Sequence, residues 1–131
     1  MNISKKHYRT FSMDESSWTK LHKNTMLGHT HSVIDLLDKG ISPNIQDNDG
    51  TTPLYLACSR GYTRMTELLI KNGADVNKPN NYGVTPLHIA MYCRYTATIS
   101  LLLKYGASRD MECDGEFNAL DYFNMTRKKK Y

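Results

Sequence analysis

A segment of twelve residues recurs in this chain 33 positions later, and this internal repeat restricts the possible folds more than any other feature. GTTPLYLACSRG begins at Gly50, and its counterpart GVTPLHIAMYCR begins at Gly83. Gly40, Gly73 and Gly106 keep the same period of 33 residues. Self-similarity at such a period is typical of stacked repeats, in which each unit packs only on its neighbours. The sequence therefore predicts a solenoid of similar units.

The composition is that of one folded domain. The 131 residues include 40% hydrophobic and 23% charged residues, which is enough apolar content for a packed core. The sequence contains no run of about 18 apolar residues, so no membrane span is predicted. Residues 1–6 are polar and do not form a hydrophobic signal segment. The cysteines, Cys58, Cys93 and Cys113, are odd in number and widely spaced. This pattern argues against a disulfide framework or a zinc site and favours a reducing cytosol.

Basic residues are concentrated at the two ends of the chain. The net charge is +4, with clusters at residues 5–9 and 127–130, whereas the repeat body is nearly balanced. Basicity is therefore not a sign of nucleic-acid binding across the fold. A solubilising end is the commonest role for a basic run as short as residues 127–130. A nuclear-import signal and a phosphate-binding tail are the alternatives.

The closing glycines divide the chain into units. The predicted repeats are 14–46, 47–79 and 80–112, followed by a partial repeat 113–126. Residues 1–13 are expected to be an extension that is partly disordered or capping, and residues 127–131 a basic tail.

Each unit is predicted to contain a turn and two short helices. Thr52 is a suitable N-cap, and Pro53 suits the first helical position because its missing N–H would have had no partner there. Gly73 suits the left-handed position that ends a second helix. Neither helix reaches the ~12–15 residues at which an isolated helix is even marginally stable. The units must therefore stack to bury their apolar faces.

DNDGTTPLYLA at 47–57 and NNYGVTPLHIA at 80–90 closely resemble ankyrin repeats. The resemblance covers residues 14 to about 126. It implies an all-α solenoid of helix–turn–helix units joined by β-hairpin-like turns, with about 3.5 to 4 repeats. In the family, a histidine after Thr-Pro-Leu bonds the backbone and ties neighbouring hairpins together. His22 and His88 occupy that place here, whereas Tyr55 and Asp121 replace it.

Both terminal units depart from the pattern. In unit one, Lys23 and Asn24 stand where the central units carry apolar residues. A terminal capping repeat needs such a polar outer face. A capping-box pattern at residues 12–15 suggests that the first helix begins earlier than the repeat register predicts. Unit four has three large apolar residues at expected core positions: Leu120, Tyr122 and Phe123. Unit four is therefore either a shortened cap or an open end. An open end would dock a partner or mark a cut from a longer protein.

The family's contact positions can be transferred to this chain by register. In ankyrin folds, the hairpin tips and the outward face of the first helices line a concave groove. The residues that follow the turn glycine are Thr51 in unit two and Val84 in unit three, and Trp18 and Phe117 hold the same place in units one and four. Those near the end of the first helix are Met26, Leu27, Ser59, Arg60, Tyr92, Cys93 and Met125. Those at the tips are Asn48, Asp49, Asn81 and Tyr82.

A few of these residues are expected to dominate binding. Trp, Tyr, Met and Arg are enriched in interfaces or their hot spots, which favours Trp18, Met26, Arg60, Tyr82 and Tyr92. The alternative is that Trp18 and Phe117 pack as caps on the two ends of the stack. Asn77 closes a pattern similar to the one that asparaginyl hydroxylases accept in ankyrin proteins. A structural role in its loop is the alternative for this residue.

The resulting hypothesis is a non-enzymatic adaptor or competitive inhibitor that binds another protein. No nucleophile elbow, phosphate loop or metalloprotease motif is present, so no catalysis, metal or cofactor is predicted. Neither a membrane nor a small-molecule ligand is expected, and the expected location is the cytoplasm or the nucleus. One alternative is a nucleic-acid-associated role through the basic ends. The other is a fragment or subunit of a larger ankyrin assembly.

Overall fold

A computed structural model of the chain describes residues 15–113, 115 and 117–128, with side chains up to Met125. Within these residues there are seven α-helices and no extended strand, which confirms the predicted all-α fold. A 3₁₀ turn at Glu15–Ser17 precedes the first helix. The helices are α1 (Lys20–Met26), α2 (Thr30–Asp38), α3 (Pro53–Ser59), α4 (Thr63–Lys71), α5 (Pro86–Cys93), α6 (Thr96–Lys104) and α7 (Ala119–Lys128).

The first helix of each unit begins where the repeat register predicts. Thr52 Oγ1 accepts from Tyr55 N at 3.2 Å, and Thr19 and Thr85 cap α1 and α5 in the same way. Asn118 replaces threonine before α7, where its Oδ1 accepts from Asp121 N at 3.1 Å. Each cap satisfies a backbone donor that would otherwise lack an intrahelical partner.

Two expectations about the chain ends change. The first helix does not begin early, as the capping-box pattern predicted. It begins at Lys20, and Glu15 lies in the separate 3₁₀ turn. Residues 12–14 lie outside the described range. The backbone of α7 continues to Lys128, two residues into the predicted basic tail. The predicted extension 1–13 and residues 129–131 fall outside the described residues.

The helices form two layers. The first helices α1, α3, α5 and α7 pack in sequence, while α4 packs on both α3 and α6 in an outer layer. Leu21, Leu54 and Leu87 are buried at the same repeat position, forming a continuous apolar spine through the stack. Burying a leucine side chain stabilises the fold by about 1.5–3 kcal/mol, so the spine is a major source of stability.

Hydrogen bonds between units join residues about one repeat apart. His22 Nε2 lies 2.8 Å from the carbonyl oxygen of Thr51, and His88 Nε2 lies 3.0 Å from that of Phe117. On the outer layer, Thr63 Oγ1 lies 3.0 Å from Thr98 Oγ1. These pairs are 29 to 35 positions apart in the sequence. Adjacent units are therefore hydrogen-bonded to each other at the hairpins and between the second helices.

The C-terminal unit is closed by one aromatic ring. Tyr122 is fully buried, with its ring edge-on to those of His88 at 5.1 Å and Phe117 at 6.3 Å between centroids. Leu120 is 58% exposed, so its predicted place in the core is wrong. It occupies the register of Leu87, but none of the described residues forms the second helix that would cover it.

Candidate partner-binding surface

The hairpin tips are held by carboxylate and amide side chains. Asp47 Oδ1 accepts from the backbone N–H groups of Asp49 at 2.9 Å and Thr51 at 2.8 Å. Asn80 repeats the arrangement one unit later, where its Oδ1 accepts from Tyr82 N and Val84 N. The tips are thus ordered without a regular sheet, and they present their side chains from a fixed backbone.

Neighbouring tips are also bonded to each other. Asn81 donates its backbone N–H to Asp49 O and its side-chain amide to Asn48 O, both at 2.9 Å. Asn48 in turn donates its N–H to Ser17 Oγ at 2.8 Å. The exposed tip residues therefore form a ladder along the stack, and part of the hydrogen-bonding capacity of Asn81 is already used within the fold.

Four predicted contact residues are buried, which contradicts their expected place on an open groove. They are Trp18, Thr51, Val84 and Met125, each with 8% or less of its surface exposed. The residue after a turn glycine lies against the adjoining unit, where the Thr51 carbonyl accepts the histidine bond. Trp18 donates its indole N–H to Asp47 Oδ2 at 2.9 Å and lies parallel to His22, which fits the alternative of a capping role.

The other predicted contact residues reach the surface to different extents. Leu27, Asn48, Arg60 and Asn81 are exposed. Those that are half-buried are Met26, Asp49, Ser59, Tyr82, Tyr92, Cys93 and Phe117. Tyr92 and Phe117 both contact Tyr122, with ring centroids 6.2 and 6.3 Å away. These two rings therefore help to pack the C-terminal unit.

Leu27 is 63% exposed and lines two hollows of the surface. One hollow, of about 170 Å³, is lined by Glu15, Trp18, Lys23, Met26 and Leu27. The structure thus brings three of the predicted contact residues together. We call Met26, Leu27, Arg60 and Tyr62, with the two hollows, the Leu27 surface.

The second hollow includes residues that the sequence analysis missed. It has a volume of about 530 Å³ and is lined by Leu27, Tyr62 and Arg64, together with Gly28, Thr30, Gly61, Thr63 and Met65. Tyr62 donates its hydroxyl to Met26 O at 3.3 Å, and the Arg60 guanidinium lies 5.9 Å from its ring centroid. Tyr62 recurs as Tyr95 at the 33-residue period, so the signal was present in the sequence.

Burial sets the protonation of the groups inside the stack. Desolvation lowers the pKa of His22 and His88, against the opposing effect of their backbone hydrogen bonds. It raises the pKa of the Cys58 thiol to about 12 and also raises that of Cys93. A protonated thiol is a poor nucleophile, so neither environment activates cysteine chemistry. Within the described part of the chain, no group of three or more His, Cys, Asp or Glu side chains could hold a metal ion.

Asn77 is engaged in the loop that follows the second helix of unit two. Its side-chain amide donates to Gly106 O at 3.3 Å, and its Oδ1 accepts from Ser108 N at 2.8 Å. Asn44 bridges to Gly73 and Asp75 in the same way one unit earlier. The side chain therefore has a structural role that joins two units, and its hydroxylation stays a prediction.

Capped helix pairs, stacked on one spine and joined at their tips, define a helical repeat protein. A family model described as ankyrin repeats, in three copies, matches residues 9–113, and the chain belongs to this family. Ankyrin repeats are a protein-interaction module. Of the helices in the described ranges, none has the length and apolarity needed to cross a membrane.

Two kinds of curated protein share shorter segments with the chain. It is 48% identical over 42 residues to the inhibitor of Bruton tyrosine kinase of Xenopus laevis, a match covering 32% of this chain. It is 42% identical over 60 residues to SH3 and multiple ankyrin repeat domains protein 1 of Homo sapiens, a match covering 38% of this chain. In each case the match spans 3% of the relative's length. The likeness therefore concerns the repeats alone.

Proposed function

We propose that this chain is a non-enzymatic binding module that acts as an adaptor or a competitive inhibitor of another protein. The single observation that carries the proposal is the Leu27 surface, where a largely exposed leucine lines two hollows bordered by Met26, Tyr62 and Arg64. Water around an exposed leucine is released when a partner covers it, which favours association.

The composition of this surface fits a protein partner. Aromatic residues, methionine and arginine are enriched in interfaces, and hot spots lie in pockets that exclude water. Leu27 and Met26 supply apolar area, while Arg60 above the Tyr62 ring supplies a charge that can bind carboxylates or carbonyls. The tip residues Tyr82 and Asn81 would extend the contact along the stack.

The mechanism would be steric. The loops and tips are fixed by hydrogen bonds between units, so a partner would bind a preformed surface at little conformational cost. An adaptor would hold its partner there, and a competitive inhibitor would mask a surface that the partner needs elsewhere. One relative is named as an inhibitor of a tyrosine kinase, which is compatible with the second mode.

The interior of a cell is the proposed location. Cys58, Cys93 and Cys113 form no disulfide, and Cys58 is fully buried. A fold that does not use its cysteines for crosslinks suits a reducing compartment such as the cytoplasm or the nucleus.

Affinity capture with two matched variants tests the proposal. A double variant, Leu27→Ala with Arg60→Ala, removes the centre of the Leu27 surface. The control, Ile34→Ala with Ile41→Ala, removes two other exposed apolar side chains, which are 37% and 39% exposed. We expect the wild type and the control to retain the same specific protein. The amount retained by the Leu27 variant should be lower by a factor of about ten or more.

Two results would reject the proposal. The first is equal retention of the captured protein by the wild type and both double variants. The second is retention of nucleic acid alone, with binding that collapses steeply between low and physiological salt. Circular dichroism of each variant, compared with the wild type, excludes loss of folding as the cause.

A further inference from the structure

We propose that an apolar hollow beside α7, which none of the described residues fills, is a second docking site that takes an acidic amphipathic helix from a partner protein. The site is an apolar hollow of about 260 Å³, separate from the Leu27 surface. Six residues of α5, α6 and α7 and their connections line it: Met91, Thr96, Ile99, Ser100, Leu120 and Phe123. We call this hollow the C-terminal patch.

The preceding unit shows what kind of element covers such a surface. One period earlier, the places of Leu120 and Phe123 are held by Leu87 and Ala90, and both are fully buried. In that unit, α6 packs on both α4 and α5. The C-terminal patch is therefore the place that a second helix would take in unit four.

The side chains that line the patch have changed accordingly. Cys58 and Thr66 are buried in unit two, and Met91 and Ile99 hold their places here as larger, half-exposed side chains. Leu120, which also lines the patch, is 58% exposed. These replacements enlarge the apolar surface that water would have to cover. A helix with aliphatic residues at i, i+3 and i+4 would cover it, as on α6 itself with Ile99, Leu102 and Leu103.

Charge around the patch favours an acidic occupant. The Arg94 guanidinium lies 3.8 Å from the ring centroid of Phe123, and its Nη1 donates to Phe123 O at 3.2 Å. Arg94 holds a left-handed backbone with φ 60°, where Gly28 and Gly61 stand in the earlier units. Arg94 therefore places positive charge at the Phe123 side of the patch.

The direction of the covering helix follows from the neighbouring unit. There α6 begins at Thr96, directly after α5 ends at Cys93, so the two helices run in opposite directions. A helix seated in the same way on α7 would begin beside Arg94. The positive end of its dipole would face this cation unless its first turn carried Asp or Glu. Acidic residues in the first turn are therefore the specific requirement of this site.

The same charges make a second copy of this chain a poor occupant. Pairing of two C-terminal patches would bring two Arg94 groups together. Head-to-tail stacking would require the N-terminal end of another copy, where Lys20 and Lys23 are exposed and basic. Like charges so placed oppose association at low and moderate salt.

A display library of helical peptides of about 15 residues tests the site on the full chain. The library is selected against the wild type, and the binders are then measured by fluorescence anisotropy against two variants. Leu120→Ser removes an exposed apolar side chain of the patch, and Ile41→Ser is the control at a 39% exposed isoleucine elsewhere. We expect selected peptides with aliphatic residues at i, i+3 and i+4 and acidic residues in the first turn. Their affinity should fall at least about tenfold with Leu120→Ser and stay unchanged with Ile41→Ser.

Three outcomes would overturn the proposal. The selection could yield no binder that depends on Leu120. It could yield binders with a neutral or basic first turn. Sedimentation of the chain alone could show a dimer that Leu120→Ser abolishes, which would assign the patch to a second copy. Binding of the selected peptides to the Leu27→Ala, Arg60→Ala variant separates this test from that of the proposed function, because that variant leaves the patch intact.

Discussion

Gly50, the turn glycine of unit two, lies directly against Asn81 of unit three. A Cβ built at Gly50 would lie 2.7 Å from Asn81 N and 2.5 Å from its Oδ1, too close for any real side chain. The close approach is what allows Asn81 to donate its N–H to Asp49 O at 2.9 Å. The turn glycine therefore provides clearance for the next tip as well as a positive φ of 79°.

Gly50→Ala should lower the free energy of unfolding by more than Gly106→Ala. Both residues have positive φ, so alanine costs about 1–2 kcal/mol at each. Nothing lies within 4 Å of a Cβ at Gly106, whereas Gly50→Ala adds a clash worth about 1–3 kcal/mol. Urea unfolding of both variants measures the difference. Equal losses in the free energy of unfolding would show that the tips of units two and three can move apart without destabilising the fold.

The two buried histidines should make stability fall as the pH is lowered. Thr19 N donates to His22 Nδ1 at 3.2 Å while Nε2 faces the Thr51 carbonyl, and His88 is held similarly. A carbonyl only accepts, so each ring is neutral with its proton on Nε2, and a second proton would break the bond from threonine. Burial lowers both pKa values, so below the ordinary histidine pKa of about 6.5 the unfolded chain binds more protons.

The free energy of unfolding should therefore decline from about pH 7 to pH 5.5, above the range where carboxylates titrate. The double variant His22→Asn, His88→Asn should be less stable at neutral pH and should show a shallower decline. Urea unfolding at a series of pH values gives both slopes, and the other histidines are common to both chains. Parallel slopes would mean that these rings titrate with the same pKa in the folded and the unfolded chain.

Thr25→Val should raise stability by about 1 kcal/mol. Thr25 is fully buried, and its Oγ1 has no hydrogen-bond partner among the described residues. An unpaired buried hydroxyl has lost its bond to water, and valine has almost the same shape. Cys58 holds the equivalent place in unit two, and there the thiol lies 3.7 Å from Thr66 Oγ1. A midpoint of thermal unfolding that falls in Thr25→Val would show that the hydroxyl is hydrogen-bonded in solution.

Two alanine variants of α7 should differ sharply in stability. Tyr122→Ala removes a fully buried ring and should cost about 3–5 kcal/mol, whereas Leu120→Ala truncates an exposed side chain and should cost less than about 0.5 kcal/mol. Chemical denaturation of both proteins provides the comparison. A large loss for Leu120→Ala would place Leu120 in the core, as the repeat register alone predicts.

The register of the helices could be predicted from the sequence because capping and helix termination are local. Thr52 with Pro53, and the glycine at 73, specify a start and a stop through the backbone bonds of one helix. The apolar spine of Leu54 and Leu87 followed from the same alignment. These features do not depend on which unit lies next to them.

Exposure could not be predicted in the same way, because it depends on the neighbour. Thr51 and Val84 hold a family contact position, yet both are buried in the stack. Leu120 shares its register with Leu87 and is exposed because its neighbours differ. The Leu27 surface arises where two units meet, and spacing within one unit says nothing about the hollow between them.

The hydrogen bonds between units have a consequence for how such a chain changes its length. Each bond from His22 to Thr51 or from Asn77 to Gly106 reaches one period ahead and no further. Copying or deleting an internal block of 33 residues would therefore leave every remaining junction with a suitable counterpart. A central module could thus be gained or lost as one block of 33 residues without disrupting the pattern of hydrogen bonds between units.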